Sequence, residues 1–238
     1  MTLIKSTFVS YLFASIHLSI IGFLYGYLHP LSFKASFHIS VSVFIAYNFM
    51  RILKIQDFEK IQANRHLLWI SKNLTEIVFA LVFAILYWVI GISEIENKFL
   101  WGFLALLSIV YVRARSIFVI KNVIIGLVWA LIPWVYSNQI SALWTGFLFI
   151  YITWLSIIYD EKDAEKLSEK SFLLKKIGYI LLCISILFFF LETKNSMLTA
   201  IFAVFQMILI LFFRKPKKYE TYLFIIDLWI LVPFIKTL

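Results

Sequence analysis

"FIAYNFMRILKIQDFEK", residues 44–60, carries an apolar run into a charged segment, and how it does so sets the reading of the whole chain. Asn48 and Arg51 stand about one helical turn apart where the run stops, and the first carboxylate after them is Asp57. A polar edge of this kind is what a membrane helix shows where it leaves hydrocarbon for water.

Composition agrees. The chain is 63% hydrophobic and 15% charged, with a mean hydropathy of +0.94, whereas a soluble domain is typically about 45–50% apolar. Its 238 residues divide into nine apolar stretches, near 8–28, 36–53, 76–93, 99–114, 118–136, 139–159, 172–191, 196–213 and 221–238. Each has roughly the length that crosses a hydrocarbon core of about 30 Å as α-helix. In lipid every backbone donor and acceptor must be satisfied within its own segment, and no two-residue alternation marks a barrel. The expected fold is therefore all-α: a polytopic membrane helix bundle of nine transmembrane helices, forming a single transmembrane domain over residues 1–238.

The net charge of +9 could attract nucleic acid, but its distribution reads instead as membrane topology, with no nucleic-acid partner. In a nine-helix arrangement, Lys5, the cluster from Arg51 to Lys72, Arg113, Arg115, Lys121, the run from Lys162 to Lys176, and Arg214 to Lys218 fall on one side. Only Lys34, Lys98, Lys194 and Lys236 fall on the other, a division of eighteen against four. The positive-inside rule then gives a cytoplasmic N-terminus and an external C-terminus. The expected location is a bacterial inner (plasma) membrane, with membrane lipids as the surroundings. The first apolar segment reads as a spanning helix rather than a signal peptide, since it is long and another span follows at once. Cys183 lies inside an apolar stretch and offers neither a disulfide nor a Cys metal site.

Two longer polar loops, about 54–75 and 160–171, are expected on the cytoplasmic side. The first mixes Ile55, Phe58, Ile61, Leu68 and Trp69 with Lys60, Arg65 and Lys72, as a short interfacial amphipathic helix would. Asn73 followed by Glu76 resembles a capping box for the third span. The second loop belongs to "YDEKDAEKLSEKS", residues 159–171, which holds five acids and three lysines. These loops follow spans two and six, and the basic turns "RARS" (113–116) and "RKPKK" (214–218) follow spans four and eight. The spacing reads as two four-helix halves plus a ninth helix.

Ionisable or strongly polar groups at membrane depth are expensive and are first candidates for function. Asp160 and Asp163 are three apart, so on a helix continuing from the sixth span they share a face. Two such carboxylates can hold Mg²⁺, a hard cation bound by one or two carboxylates plus substrate phosphates. They read equally as a solvated acidic stretch balanced by Lys162 and Lys166. Arg51, Arg65, Arg113, Arg115 and Lys121 can clamp a diphosphate, the arginines with bidentate geometry, or can simply snorkel to the interface. Asn122 follows Lys121 near the start of the fifth span, and Asp227 lies within the ninth. The four histidines form no pattern, and no Gly-rich phosphate loop, HExxH or GxSxG is present.

The constellation resembles the UbiA superfamily of intramembrane aromatic prenyltransferases. In that family nine helices place two aspartate-rich motifs on the cytoplasmic loops after helices two and six, where they hold Mg²⁺ and a prenyl diphosphate. "SIIYDEKDAEKLSEKSFLLKKIG", residues 156–178, resembles the second motif, with Asp160 and Asp163 on its first two acids, Leu167 in place of the third, and Gly178 near the following glycine. "SIFVIKNVIIGLVWALIPW", residues 116–134, is similar to the fifth helix. Tyr47, Asn48 and Arg51 match the Tyr-Asn-x-x-Arg of short members. Laying the family's first motif, N-D-x-x-D-x-x-x-D, on Asn48 puts Phe49, Ile52 and Gln56 on its three aspartates, with Asp57 one residue out of register. The resemblance implies a divergent prenyltransferase whose ligand is an isoprenoid diphosphate. It gives Asn48, Asp160 and Asp163 to catalysis, the last two as ligands of Mg²⁺, and Arg51, Arg113, Arg115 and Lys121 to the diphosphate. The competing class is a non-catalytic lipid-binding, transport or assembly protein that kept the fold and lost the metal site.

Overall fold

Helix ends are written locally in this chain. Ser32, Asn97, Ser141 and Asn195 each stand just before an apolar helix, and each side-chain oxygen accepts the backbone N–H three residues on, at Ala35, Leu100, Trp144 and Leu198. This is the N-cap bond that satisfies one of the four orphan donors of a helix start. A computed structural model describes residues 15–54, 65–114, 118–164, 168–214 and 219–237. Its helices are α1 (Ile16–Leu28), α2 (Phe33–Lys54), α3 (Arg65–Lys72), α4 (Leu74–Ile90), α5 (Lys98–Ala114), α6 (Phe118–Leu131), α7 (Ala142–Ala164), α8 (Ser168–Thr193), α9 (Ser196–Arg214) and α10 (Tyr219–Trp229). Short 3₁₀ turns follow α4, α6 and α10, and among the described residues there is no strand. Pro133 ends α6: it cannot donate to an α-helical ladder, and the chain tightens to 3₁₀ over Ile132–Val135.

The all-α expectation is met, and the chain has the character of a membrane protein. Three helical segments, Phe33–Leu53, Leu74–Glu94 and Lys176–Thr193, are long and apolar enough to cross a bilayer. Helix α4 shows why lipid suits it: only Ile77 and Leu81 are buried, while Phe79, Phe83, Leu86 and Ile90 lie open. An apolar face of that extent is unfavourable in water and ordinary in hydrocarbon.

The chain divides into two compact units, residues 1–96 and 97–238. In the first, α1 and α2 run antiparallel and touch through small residues. A Cβ on Gly26 would lie 3.0 Å from the Ser36 Cα, and one on Gly22 would lie 3.0 Å from a Val43 methyl. Close backbone approach of this kind is how helices gain packing energy in lipid, where no hydrophobic driving force separates helix from solvent. Helices α2 and α4 are tied by a polar set: His38 Nε2 donates to the Trp88 carbonyl at 2.9 Å, Trp88 Nε1 donates to Ser42 Oγ at 2.9 Å, and Ser42 Oγ donates to the His38 carbonyl. His38→Leu is expected to lower stability by about 0.5–2 kcal/mol, because the part-buried bond to the Trp88 carbonyl is lost. Thermal unfolding in detergent measures it, and an unchanged midpoint would show the tie to be dispensable.

Between α2 and α4, the short α3 buries Ile70 against Ile77 and Leu81, with Phe44, Ile45, Ile52 and Trp69 around them, while Leu68 and Lys72 stay exposed. Its two-sided character is the one expected of the first polar loop. The capping box is not made. Asn73 precedes α4 without a side-chain cap bond, and its Nδ2 donates back to the Trp69 carbonyl at 2.7 Å. An amide that satisfies the end of α3 is turned away from the start of α4.

The second unit is built around α7. Trp144, Phe147, Tyr151 and Trp154 line one stripe of it, and Phe147 packs on Phe189 of α8 and Phe202 of α9 with ring centroids 5.5 and 5.7 Å away. The Tyr151 hydroxyl donates to the Trp229 carbonyl at 2.8 Å, which fixes the end of α10. Near the start of α7, Lys236 Nζ sits 3.3 Å from the Trp144 ring centroid and 3.2 Å from a Glu192 carboxylate oxygen. Ser141 Oγ donates to the other oxygen of Glu192.

Candidate functional site

Asn48 and Arg51 belong to the first unit. Both lie in the last two turns of α2, and both are buried, at 1% and 8% exposure. Asn48 Nδ2 donates to the Phe44 carbonyl one turn back at 3.0 Å, so the amide folds along its own helix. The Arg51 guanidinium Nη1 donates to Ser15 Oγ, a hydroxyl that is itself buried just ahead of α1. An arginine that only snorkels keeps its head in water, and this one does not. Phe49, in place of the first aspartate of the family's motif, is exposed, whereas Ile52 is partly covered by the α3 core. Gln56 and Asp57 lie outside the described residues.

The remaining candidates belong to the second unit. Helix α7 continues without a break through Asp160 and Asp163 to Ala164, as their spacing required for a shared face. Glu161, Lys162 and Ala164 in this acidic end are residues that propagate a helix readily. The side chains of Asp160, Asp163 and Arg113 lie outside the described set, as does Arg115 altogether; Arg113 itself falls in the last turn of α5. Lys121, half-buried, is in the first turn of α6, and Asn122 beside it is fully buried.

The pairing of α6 with α7 fixes this end of the second unit. A Cβ at Gly126 would fall 2.1 Å from Thr153 Oγ1 and 2.8 Å from the Phe149 carbonyl oxygen, so only glycine allows the two backbones to come this close. That contact sets the register. One turn back along α6 is Asn122, one turn on along α7 is Ser156, and the Ser156 hydroxyl donates to Asn122 Oδ1. Asp160 is one further turn along α7. The start of the helix that bears Lys121 is thereby brought to the end of the helix that bears the two aspartates.

Two carboxylates on one helical face are the hard oxygen donors that Mg²⁺ takes, provided that phosphate oxygens and water complete its octahedron. Among the described residues no three His, Cys, Asp or Glu side chains gather. His38 is committed to the Trp88 carbonyl through Nε2.

Sequence reading singled out Lys121 and Asn122 but not Gly126, Thr153, Ser156 or Ser15. The signal was there in part: a glycine four residues after Asn122 marks one face of α6, and small residues mark helix contacts in lipid. No family model matches the chain, and no curated protein or solved structure matches it.

Proposed function

We propose that the protein is a divergent UbiA-like membrane protein of nine transmembrane helices that binds an isoprenoid diphosphate from the cytoplasmic side, and that it transfers the prenyl group. The observation that carries this reading is the α6–α7 pair, in which the Asn122–Ser156 bond sets a lysine-bearing helix start beside a helix end with two aspartates. A cation for the diphosphate and carboxylates for its metal are the two requirements of such chemistry. In the proposal Asp160 and Asp163 would hold Mg²⁺, and Lys121, Arg113 and Arg115, of the same unit, would meet diphosphate oxygens. Mg²⁺, when bound, neutralises the diphosphate and stabilises it as a leaving group.

A second reading is favoured by one specific feature, the Phe49, Ile52 and Gln56 that replace the first aspartate cluster. A protein with the metal site reduced to one pair can retain lipid binding without transfer. Calorimetry of the purified full chain with farnesyl diphosphate, with Mg²⁺ or with EDTA, separates the two. We expect Mg²⁺-dependent binding that falls at least about tenfold in Asp160→Asn, the loss of one charged ligand. Binding indifferent to metal and to Asp160 favours the non-catalytic class, and no binding removes the diphosphate reading.

A further inference from the structure

Asn122 is fully buried at the start of α6, and its two amide atoms are treated differently by the fold. Oδ1 accepts the Ser156 hydroxyl. Nδ2 is buried and has no hydrogen-bond partner among the described residues. A buried amide donor left unmade is costly, and in hydrocarbon the cost is not relieved by bulk water. The α6–α7 contact at Gly126, one turn away, holds the two backbones close. The Ser156 bond holds the carboxamide plane, so the N–H₂ end is presented in a fixed direction. Next to it in sequence is the half-buried Lys121, and one turn beyond Ser156 on α7 is Asp160.

We infer that Asn122 is a ligand-contacting residue, whose Nδ2 donates to a phosphoryl oxygen of the molecule that Lys121 attracts. This rests on the diphosphate reading above. The chemistry on the page selects an acceptor oxygen: the amide atom with no partner is a donor, and its neighbour is a cation, which together suit an anionic oxygen better than a cation or an amine. Asn122 supplies direction where Lys121 supplies charge, because an ammonium on a flexible stem fixes position poorly.

The test compares wild type, Asn122→Leu and Asn122→Asp in detergent, with farnesyl diphosphate and inorganic pyrophosphate as probes, each with Mg²⁺. The leucine keeps volume and removes the unmade donor. The aspartate keeps an acceptor for Ser156 and turns the donor into an oxygen. We expect Asn122→Leu to unfold at the wild-type temperature or above and to lose about tenfold in affinity for both probes. Asn122→Asp is expected to lose more, through repulsion. An unfolding temperature that falls in Asn122→Leu while affinity is unchanged assigns the residue to packing and overturns the inference. A loss confined to farnesyl diphosphate overturns it too, since the contact is then with the chain. If wild type binds neither probe, the functional reading itself has failed. If wild type binds and both variants bind equally well, only the role of Asn122 has failed.

Discussion

Gly126→Ala is expected to destabilise the protein by about 1–3 kcal/mol, and Gly126→Val by more, with part of the loss recovered in Gly126→Ala/Thr153→Ala. The added methyl would overlap Thr153 Oγ1 at 2.1 Å and press on the Phe149 carbonyl at 2.8 Å. Removing the threonine hydroxyl clears the first contact. The second is backbone and cannot yield without separating α6 from α7, so rescue is partial. Thr153 Oγ1 also donates to the Phe149 carbonyl at 2.7 Å, and Thr153→Ala alone gives up that bond at small cost. Unfolding midpoints of the four proteins in one detergent measure the cycle. Full additivity of the two single changes would show that the clash does not govern the helix spacing. The same displacement would move Asn122 off Ser156, so ligand affinity is expected to fall with stability.

Arg51→Leu is expected to lower stability by about 1–3 kcal/mol, because the buried guanidinium that donates to the buried Ser15 hydroxyl is lost. Burial of a guanidinium at 8% exposure carries a desolvation penalty that a leucine does not, but the shorter leucine leaves a cavity and an unpaired hydroxyl. Ser15 loses its donor, yet its carbonyl still receives the Ser19 hydroxyl at 3.1 Å, which holds the start of α1. Arg51→Lys keeps the charge but not the planar fork, and we expect it to recover less than half of the lost stability. Thermal unfolding in detergent measures both, and an unchanged midpoint in Arg51→Leu would show that the bond to Ser15 does not anchor α1.

Much of this architecture was legible residue by residue. Ser32, Asn97, Ser141 and Asn195 announce helix starts by their chemistry, Pro133 announces an end, and the acidic stretch after Tyr159 continues α7 because Glu, Lys and Ala favour it. Asn73 shows where local reading stops. Its spacing to Glu76 fits a cap, but the amide of a residue between two helices can serve either one, and here it serves α3. The candidate site was legible as residue types and not as contacts. Lys121 and Asp160 are thirty-nine positions apart, and nothing in either stretch states that Asn122 and Ser156 meet.

By itself the sequence determined that the chain is helical and of membrane character, and which residues are polar enough to be costly in hydrocarbon. Those properties follow from local composition, because a membrane imposes length and backbone satisfaction on each segment separately. Tertiary structure decided which faces meet: Gly22 and Gly26 against α2, Gly126 against Thr153, Arg51 turned to Ser15 rather than to water. In a soluble helix the apolar stripe marks the buried face. In these helices lipid-facing and core-facing sides are equally apolar, so the buried side is chosen by shape and by a few hydrogen bonds, and these exist only once the helices have packed.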